Sequence, residues 1–217
     1  MTFTLVQILS FSIAIGAIIG LVRLKNTDQA FLPFIFFLWS GFLNEAISTI
    51  RIYYHNSSAI NNNIYVLVSS LLLLWLFKNW KVFGVHSKKV FYVLFILFVL
   101  IWSWENFIYS SIRSFSSYFR IAYSFIIVLL SIQMINKFLL ENSTHLLRNS
   151  VFLICLGFII FFTYKVLIEI FWIYGLNSTS NFGIQVFRIL IYVNLAVNLL
   201  YALAALWMPR KRESLLQ

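Results

Sequence analysis

Residues 150–173, SVFLICLGFIIFFTYKVLIEIFWI, decide the fold class of this chain. Lys165 and Glu169 are the only charged residues in an otherwise almost entirely apolar run. About 20 apolar residues in a helix cross the roughly 30 Å hydrocarbon core of a bilayer, so the run is long enough to span a membrane. A transmembrane β-strand would instead alternate apolar and polar residues. The stretch therefore predicts a transmembrane helix.

The remainder of the chain repeats this pattern of long apolar runs. The 217 residues are 62% hydrophobic and only 10% charged, which is far from the composition of a soluble domain. Apolar windows separated by polar clusters predict an all-α bundle of seven transmembrane helices that forms a single domain over residues 1–217. The predicted spans are 3–22, 30–50, 64–78, 90–109, 119–138, 150–173 and 184–207.

The distribution of Lys and Arg between alternate loops predicts the orientation. Basic residues in short loops are retained on the cytoplasmic side of the membrane. One set of loops carries eleven, and the other set carries only Arg51, Arg113 and Arg120. We therefore expect the N-terminus outside and the C-terminus in the cytoplasm. The eleven basic residues are Arg23, Lys25, Lys78, Lys81, Lys88, Lys89, Lys137, Arg148, Arg210, Lys211 and Arg212.

Topology also accounts for the net charge of +10, because the basic residues are dispersed between apolar runs. Nucleic-acid binding would instead require a basic patch or stripe, so we expect no nucleic-acid partner. The bilayer is the expected partner, and the basic inner loops offer a contact surface to a further membrane or cytoplasmic protein.

Ionisable residues inside the predicted spans point to a site. Such residues cost about 2.5–3.5 kcal/mol on insertion scales, and they usually face a bundle interior or a wet cavity with a partner. Lys165 and Glu169 are four residues apart on one face of the sixth span, so Glu169 is the predicted partner of Lys165. Apolar residues at both positions would avoid the burial cost entirely, which indicates a further role for the pair.

Three carboxylates are predicted to share one layer near the outer side of the membrane. Glu45, Glu105 and Glu169 each lie about five residues from the outer end of their spans, or roughly 7 Å deep. Arg188 joins this layer from the seventh span, and Arg51, Arg113 and Arg120 are expected at its rim. The layer predicts an outward-facing charged pocket that binds a small polar or zwitterionic solute; a purely structural network of pairs is the alternative. The predicted ligand-binding residues are Glu45, Glu105, Lys165, Glu169 and Arg188, with Asn44, Asn106, Asn194 and Asn198 as secondary lining.

One internal similarity joins the second and fourth predicted spans. Residues 44–51, NEAISTIR, align without gaps with residues 106–113, NFIYSSIR. In each segment an Asn, a Ser and an Arg lie at i, i+4 and i+7, which predicts a polar stripe at the outer end of both helices. Duplication and chance similarity both remain open, since the chain is rich in Ile, Ser and Asn.

Catalytic signatures are absent from the sequence. His55, His86 and His145 fall in predicted loops on different sides, and Cys155 is the single cysteine, inside an apolar run. No hydrolase elbow, zinc-protease helix or phosphate-binding loop occurs. We therefore expect no enzymatic activity, no metal and no cofactor.

The pattern of residues around the second and third spans resembles a known group of proteins. LPFIFFLWSGFLNEAIS in the second span is followed by an outer N-N-x-I-Y that enters LLLLWLFKNW, with Asn44, Glu45 and Trp75 among the specific positions. This pattern is similar to that of uncharacterised seven-span bacterial membrane proteins. The resemblance implies a bacterial plasma-membrane location and no particular activity.

Three functions fit these predictions. The first is a receptor-like or sensory module in which ligand binding rearranges the sixth and seventh spans. The second is a proton-coupled secondary transporter in which one of the buried carboxylates carries the proton. The third is a structural or assembly subunit whose charges face another membrane protein.

Overall fold

The computed structural model describes residues 3–55, 57–84, 87–141, 148–174 and 180–211, and the elements in these ranges are helical. A π-helical segment, Trp104–Tyr109, continues α5. Two short 3₁₀ turns, Leu24–Asn26 and Gln29–Phe31, link α2 to α3. The α-helices are α1 (Phe3–Ser10), α2 (Ile13–Arg23), α3 (Leu32–His55), α4 (Ala59–Asn79), α5 (Ser87–Ser103), α6 (Ser117–Glu141), α7 (Ser150–Ile173) and α8 (Ser180–Trp207).

Seven stretches of the described chain are long and apolar enough to cross a membrane, which confirms the predicted number of spans. Helices α1 and α2 together form the first span, Gln7–Asn26, with a turn at Phe11 and Ser12 between them. The fourth span, Ser87–Tyr109, combines α5 with its π-helical continuation. The remaining spans are α3, α4, α6, α7 and α8.

The largest differences between the predicted span bounds and the observed helices lie where α3 ends and α4 begins. Helix α3 extends to His55 rather than residue 50, and α4 begins at Ala59 rather than residue 64. Asn61 to Asn63 lie in the first turns of α4, and their side-chain amides would be costly to bury without hydrogen-bond partners. In the structure these amides are satisfied by hydrogen bonds to α3 and to the α5–α6 connection, so the helix includes them.

The spans pack as a ring in which the first and last are neighbours. Going round, α3 packs on α4, α2 packs on α3 and α8, α8 packs on α7, and α7 packs on α6. Contacts between α4 and α6 close this ring, so α5 lies outside it against α4 and α6. Within Ser87–Ser103, Phe98 is the one buried residue, as expected for a helix at the edge of the bundle.

Two ends of the bundle are distinguished by their connections. We call the end with residues 57–58, 110–116 and 174 the site end, and the end with residues 24–31, 80–84, 148–149 and 208–211 the basic end. At the basic end, the Arg23 guanidinium donates to the carbonyls of Ala205 (3.1 Å) and Met208 (2.8 Å), which caps the C-terminus of α8. Thr27 and Arg210 form an isolated antiparallel bridge beside it.

Aromatic rings fill the centre of the bundle. Phe34, Phe37, Phe158 and Tyr201, from α3, α7 and α8, meet edge to face with ring centroids 5.5 to 6.1 Å apart for four of the pairs. Such edge-to-face contacts add to the free energy gained from burying apolar area. We call these four residues the aromatic floor, because they separate the basic end from the cavity described next.

Candidate functional site

A cavity of about 310 Å³ lies between α2, α3, α4, α6, α7 and α8, above the aromatic floor. Its deep part is lined by Phe37 and Tyr201, and its upper part by polar residues of the site half of the bundle. A volume of this size is within the range of pockets for small ligands. The charged lining residues are Glu45, Arg120, Lys165 and Glu169.

Glu45 and Lys165 face this cavity from α3 and α7, which are not neighbours in the ring. The Glu45 carboxylate accepts no hydrogen bond from the part of the chain that the structure describes. Lys165 Nζ donates to Tyr123 Oη at 3.1 Å and lies 5.5 Å from the Phe161 ring centroid. An ammonium has three N–H donors, so Lys165 retains hydrogen-bonding capacity beyond this contact. Opposite charges with unused capacity therefore share one cavity.

Glu169 pairs with Arg120 and not with Lys165, so the predicted pairing was wrong. Glu169 Oε1 lies 3.2 Å from Arg120 Nη1, and Ser117 Oγ donates to Oε2 at 2.7 Å. This is the one ion pair within 4 Å in the described ranges. The spacing of residues along α7 indicates only neighbours on that one helix, whereas the guanidinium comes from the first turn of the adjacent α6. Arg120 was expected at the rim but is only 9% exposed.

Glu105 lies outside the cavity, although it was predicted to line it. Its carboxylate accepts the backbone N–H groups of Tyr118 (3.0 Å) and Phe119 (2.6 Å) in the first turn of α6. A carboxylate there satisfies donors that an α-helix leaves unpaired and interacts favourably with the helix dipole. The π-helical turn at Trp104–Tyr109 directs Glu105 inward to this position, and its wider spacing is not visible in the sequence pattern.

Asn106 also lies away from the cavity, in a buried amide network. Its side chain donates to the Trp102 carbonyl (2.8 Å) and accepts from Asn63 Nδ2 (3.1 Å) and Ser116 Oγ (2.8 Å). Asn63 in turn accepts from Arg120 Nη2 at 3.3 Å. The network connects α4, α6 and the end of the fourth span, and so braces the Arg120–Glu169 pair.

The predicted polar stripe of the second similar segment is also wrong. Residues 44–51 are α-helical throughout, whereas residues 106–113 leave the helix after Tyr109. Ser110 and Arg113 therefore do not continue one helical face with Asn106. The two segments share residue types but not backbone geometry.

The remaining predicted residues divide between the cavity and the surface. Asn44, Asn194 and Asn198 line the cavity, whereas Arg188 is exposed on α8 and does not. Asn44 exchanges hydrogen bonds with Asn61 and Asn62, and Asn198 Nδ2 donates to Ser12 Oγ at 2.8 Å. Both amides therefore connect helices as well as line the cavity.

Two tyrosines of the cavity were missed by the sequence analysis. Tyr65 lines it from α4, and Tyr201 lines its floor from α8. Tyr201 is 3% exposed, and its hydroxyl has no hydrogen-bond partner among the described residues. A signal was present, because Asn194, Asn198 and Tyr201 are spaced i, i+4 and i+7 and so share one helix face.

Metal ligation finds no support in the described ranges, where no group of three or more His, Cys, Asp or Glu side chains converges. No protein-family model, curated protein or solved structure matches the chain. The resemblance to seven-span bacterial proteins around Asn44, Glu45 and Trp75 therefore stays a prediction, and function has to be argued from the geometry of the cavity.

Proposed function

We propose that this protein is a receptor-like or sensory membrane module that binds a small zwitterionic solute in the cavity between Glu45 and Lys165. The observation that carries the proposal is the pair of opposite charges, each with unused hydrogen-bonding capacity, on non-adjacent helices that face one cavity. An ammonium group of the solute would pair with Glu45, and a carboxylate would pair with Lys165. Charge-assisted hydrogen bonds of this kind are about twice as strong as neutral ones.

The distribution of charge within the cavity favours a ligand with both signs. Arg120 and Glu169 already neutralise one another at 3.2 Å, and Ser117 and Asn63 fill further positions around them. Glu45 and Lys165 line the same cavity, and no direct hydrogen bond joins them. A solute with a single charge would satisfy one group and leave the other in a poorly solvated site, which is costly.

The count of basic residues supports an orientation in which the site end faces outward. Retention of Lys and Arg in the cytoplasm would place the basic end, with Lys81, Lys88 and Lys89, inside the cell. The cavity would then receive its ligand from outside a plasma membrane. A protein that contacts the basic inner loops would carry the signal onward.

The aromatic floor favours a sensor over a transporter. Phe34, Phe37, Phe158 and Tyr201 are buried, and their rings pack on one another where Phe37 and Tyr201 line the cavity. A transporter needs an alternating route to the other side of the membrane. The feature that supports proton-coupled transport instead is Glu45, an intramembrane carboxylate without a hydrogen-bond donor in the described chain.

Burial of the charges within their own bundle argues against a purely structural or assembly subunit. Such a subunit would present its charged residues to a partner. Glu105, Arg120 and Glu169 are instead at most 9% exposed and find their partners inside the bundle. Arg188 is the predicted site residue that remains exposed on the surface.

The proposal is tested by thermal unfolding of the purified protein with L-amino acids and betaines as probes. Acetate and methylammonium serve as singly charged controls. A ligand at a hundred times its Kd adds roughly 2.7 kcal/mol to the stability of the native state. We expect at least one zwitterion to raise Tm in the wild type and in Arg188→Gln, but not in Glu45→Gln or Lys165→Met.

The outcomes separate the three functions. An equal response of Glu45→Gln and the wild type to every probe would exclude the cavity as the binding site. Uptake of a stabilising zwitterion into proteoliposomes, driven by a proton gradient and lost in Glu45→Gln, would establish the transporter. No stabilisation by any probe, together with co-purification of a membrane protein, would favour the assembly subunit.

A further inference from the structure

Four lysines surround one concavity at the basic end. Lys78 lies in the last turn of α4, Lys81 in the α4–α5 connection, and Lys88 and Lys89 in the first turn of α5. We call these residues the lysine cup; its volume is about 640 Å³. No acidic side chain of the described chain lines it. Four like charges around one concavity repel one another, so the cup attracts an anion.

Topology alone does not explain where these lysines lie. The positive-inside rule requires basic residues in a loop and does not require that they converge. Lys78 Nζ is held 4.3 Å from the centroid of the Phe91 ring, which fixes its charge beside the cup. Lys81, Lys88 and Lys89 are exposed and free to reach into it.

Lys81 occupies a backbone position that normally belongs to glycine. Helix α4 ends in a Schellman motif, in which Val82 N–H donates to Phe77 O (3.2 Å) and Lys81 N–H donates to Lys78 O (3.0 Å). The residue between these bonds adopts a left-handed conformation, and Lys81 has φ of 54°. Glycine adopts this conformation without steric cost, whereas lysine adopts it only at a steric cost from its Cβ. A positive charge is therefore present here at the expense of local stability.

Lys88 and Lys89 are likewise unfavourable where they stand. They lie in the first turn of α5, where the helix dipole disfavours cations, and no acidic residue accompanies them. Positions at which a sequence departs from local preferences are often functional. An anion between α4 and α5 would remove the repulsion and would face the unpaired N–H groups of α5.

An apolar surface continues from the cup along α5. Lys89 shares a helix face with Tyr92, Val93, Ile96 and Leu100, at i+3, i+4, i+7 and i+11. All four of these residues are exposed, by 57%, 64%, 56% and 60%. Because α5 lies outside the ring, no other described helix covers this face. A ligand in the cup therefore adjoins a strip of surface suited to an acyl chain.

We propose that the lysine cup binds the phosphate headgroup of an anionic phospholipid whose acyl chains lie along the exposed face of α5. A soluble phosphate would match the lysines but not the apolar strip, and the strip is the observation that selects a lipid. The lysine cup and the candidate cavity lie at opposite ends of the bundle, so this proposal does not depend on the proposed function.

The test compares the wild type with two triple variants of equal charge. Lys81→Gln/Lys88→Gln/Lys89→Gln empties the cup of three charges. Lys25→Gln/Lys137→Gln/Lys211→Gln removes three charges from elsewhere at the same end. Detergent-purified proteins are titrated with phosphatidylglycerol, phosphatidylcholine and glycerol phosphate. Bound lipid is counted by native mass spectrometry, and Tm is recorded in parallel.

We expect phosphatidylglycerol to bind the wild type and the control variant with equal affinity, and the cup variant at least about tenfold more weakly, since each lysine near an anionic headgroup contributes several-fold. Equal binding to all three proteins would overturn the proposal. Equal stabilisation by glycerol phosphate would assign the cup to a soluble anion and overturn the lipid assignment. Binding of phosphatidylcholine as tight as phosphatidylglycerol would overturn the role of the lysines.

A single substitution at Lys81 distinguishes a lipid-binding role of this residue from a purely structural one. Lys81→Gly relieves the left-handed strain and removes one charge. We expect it to raise Tm in the absence of lipid and to weaken phosphatidylglycerol binding several-fold. A gain in stability with unchanged lipid affinity would remove Lys81 from the site.

Discussion

At the scale of single residues, the intramembrane carboxylates differ in whether the bundle satisfies them. Glu105 accepts two backbone N–H groups of α6, and Glu169 accepts from Arg120 and Ser117. Glu45 lines the cavity and accepts no hydrogen bond from the described chain. The first two carboxylates therefore hold helices together, whereas the third keeps its hydrogen-bonding capacity.

Replacement of Glu105 should destabilise the fold. In Glu105→Ala the N–H groups of Tyr118 and Phe119 lose their acceptor in a buried setting, so we expect the free energy of unfolding to fall by about 1.5–3 kcal/mol. Glu45→Ala is the matched control and should leave stability unchanged or slightly higher. Denaturation of both variants in detergent provides the measurement. A larger loss for Glu45→Ala would contradict the assignment of roles.

A double-mutant cycle should locate the coupling of Glu169. Arg120→Met alone strands a buried carboxylate and should cost about 3–5 kcal/mol, whereas Arg120→Met/Glu169→Leu should cost much less than the sum of its parts. The parallel cycle with Lys165→Met and Glu169→Leu should show little coupling, because Lys165 contacts Tyr123 instead. Coupling confined to the Lys165 cycle would restore the pairing that the sequence suggested.

At the scale of elements, close contacts between helices depend on two glycines. A Cβ added to Gly157 on α7 would lie 2.5 Å from Tyr201 Cε1, on a ring that cannot move without disturbing the aromatic floor. A Cβ added to Gly41 on α3 would also lie 2.5 Å from its neighbour, but that neighbour is the flexible end of Ile13. The same overlap therefore has different consequences at the two positions.

Gly157→Ala should destabilise the protein more than Gly41→Ala. We expect a loss of about 1–3 kcal/mol for Gly157→Ala, since overpacking forces a rigid aromatic side chain to shift. Gly41→Ala should cost less, because rotation of the Ile13 side chain relieves the overlap. Thermal unfolding of the two variants measures the difference. Equal losses would show that α7 and α8 separate freely at this contact.

The helices were largely predictable from the sequence, and their polar contacts were not. Helix α7 begins and ends where its apolar run does, and Asn149 caps it by accepting the N–H groups of Val151 and Phe152. Signals of this kind depend only on residues that are consecutive in the sequence. The π-helical turn that redirects Glu105, and the reach of Arg120 from α6 to α7, depend on neighbours that are distant in sequence.

The sequence predicted the depth of the charged residues in the membrane better than it predicted their bonding partners. Counting residues from the span ends placed Glu45, Lys165 and Glu169 in the site half of the bundle, where all three line the cavity. The same count could not show that Glu105 faces α6 or that Arg188 faces outward, because rotation of each helix about its axis is set by packing. Tyr201 was not predicted to line the cavity, because tyrosines are frequent in this chain and a single one is not distinctive.

At the scale of the whole molecule, the two ends of the bundle differ in their chemistry. The basic end combines the lysine cup with the Arg23 cap of α8, and the site end contains the cavity and the carboxylates. If basic residues fix the orientation, this asymmetry sets which side of the membrane each end faces.

Cysteine labelling should reveal that orientation. Ser57 is exposed at the site end and Lys211 at the basic end, whereas the native Cys155 is fully buried and should not react. We expect a membrane-impermeant maleimide to label Ser57→Cys in intact cells and Lys211→Cys only after permeabilisation. The wild type is the control for background. The reverse pattern would invert the topology.

The packing of α2 against α8 has a consequence for biosynthesis. Arg23 bonds to carbonyls more than 180 residues further along the chain, and Ser12 bonds to Asn198. Synthesis proceeds from the N-terminus, so the first span must wait in the bilayer for the last one to emerge from the ribosome. The cavity lacks a wall until then, and a nascent chain that stops before α8 exposes the polar faces of the earlier helices to lipid. The cavity is therefore complete only after α8 has been synthesised and has packed against α2 and α7.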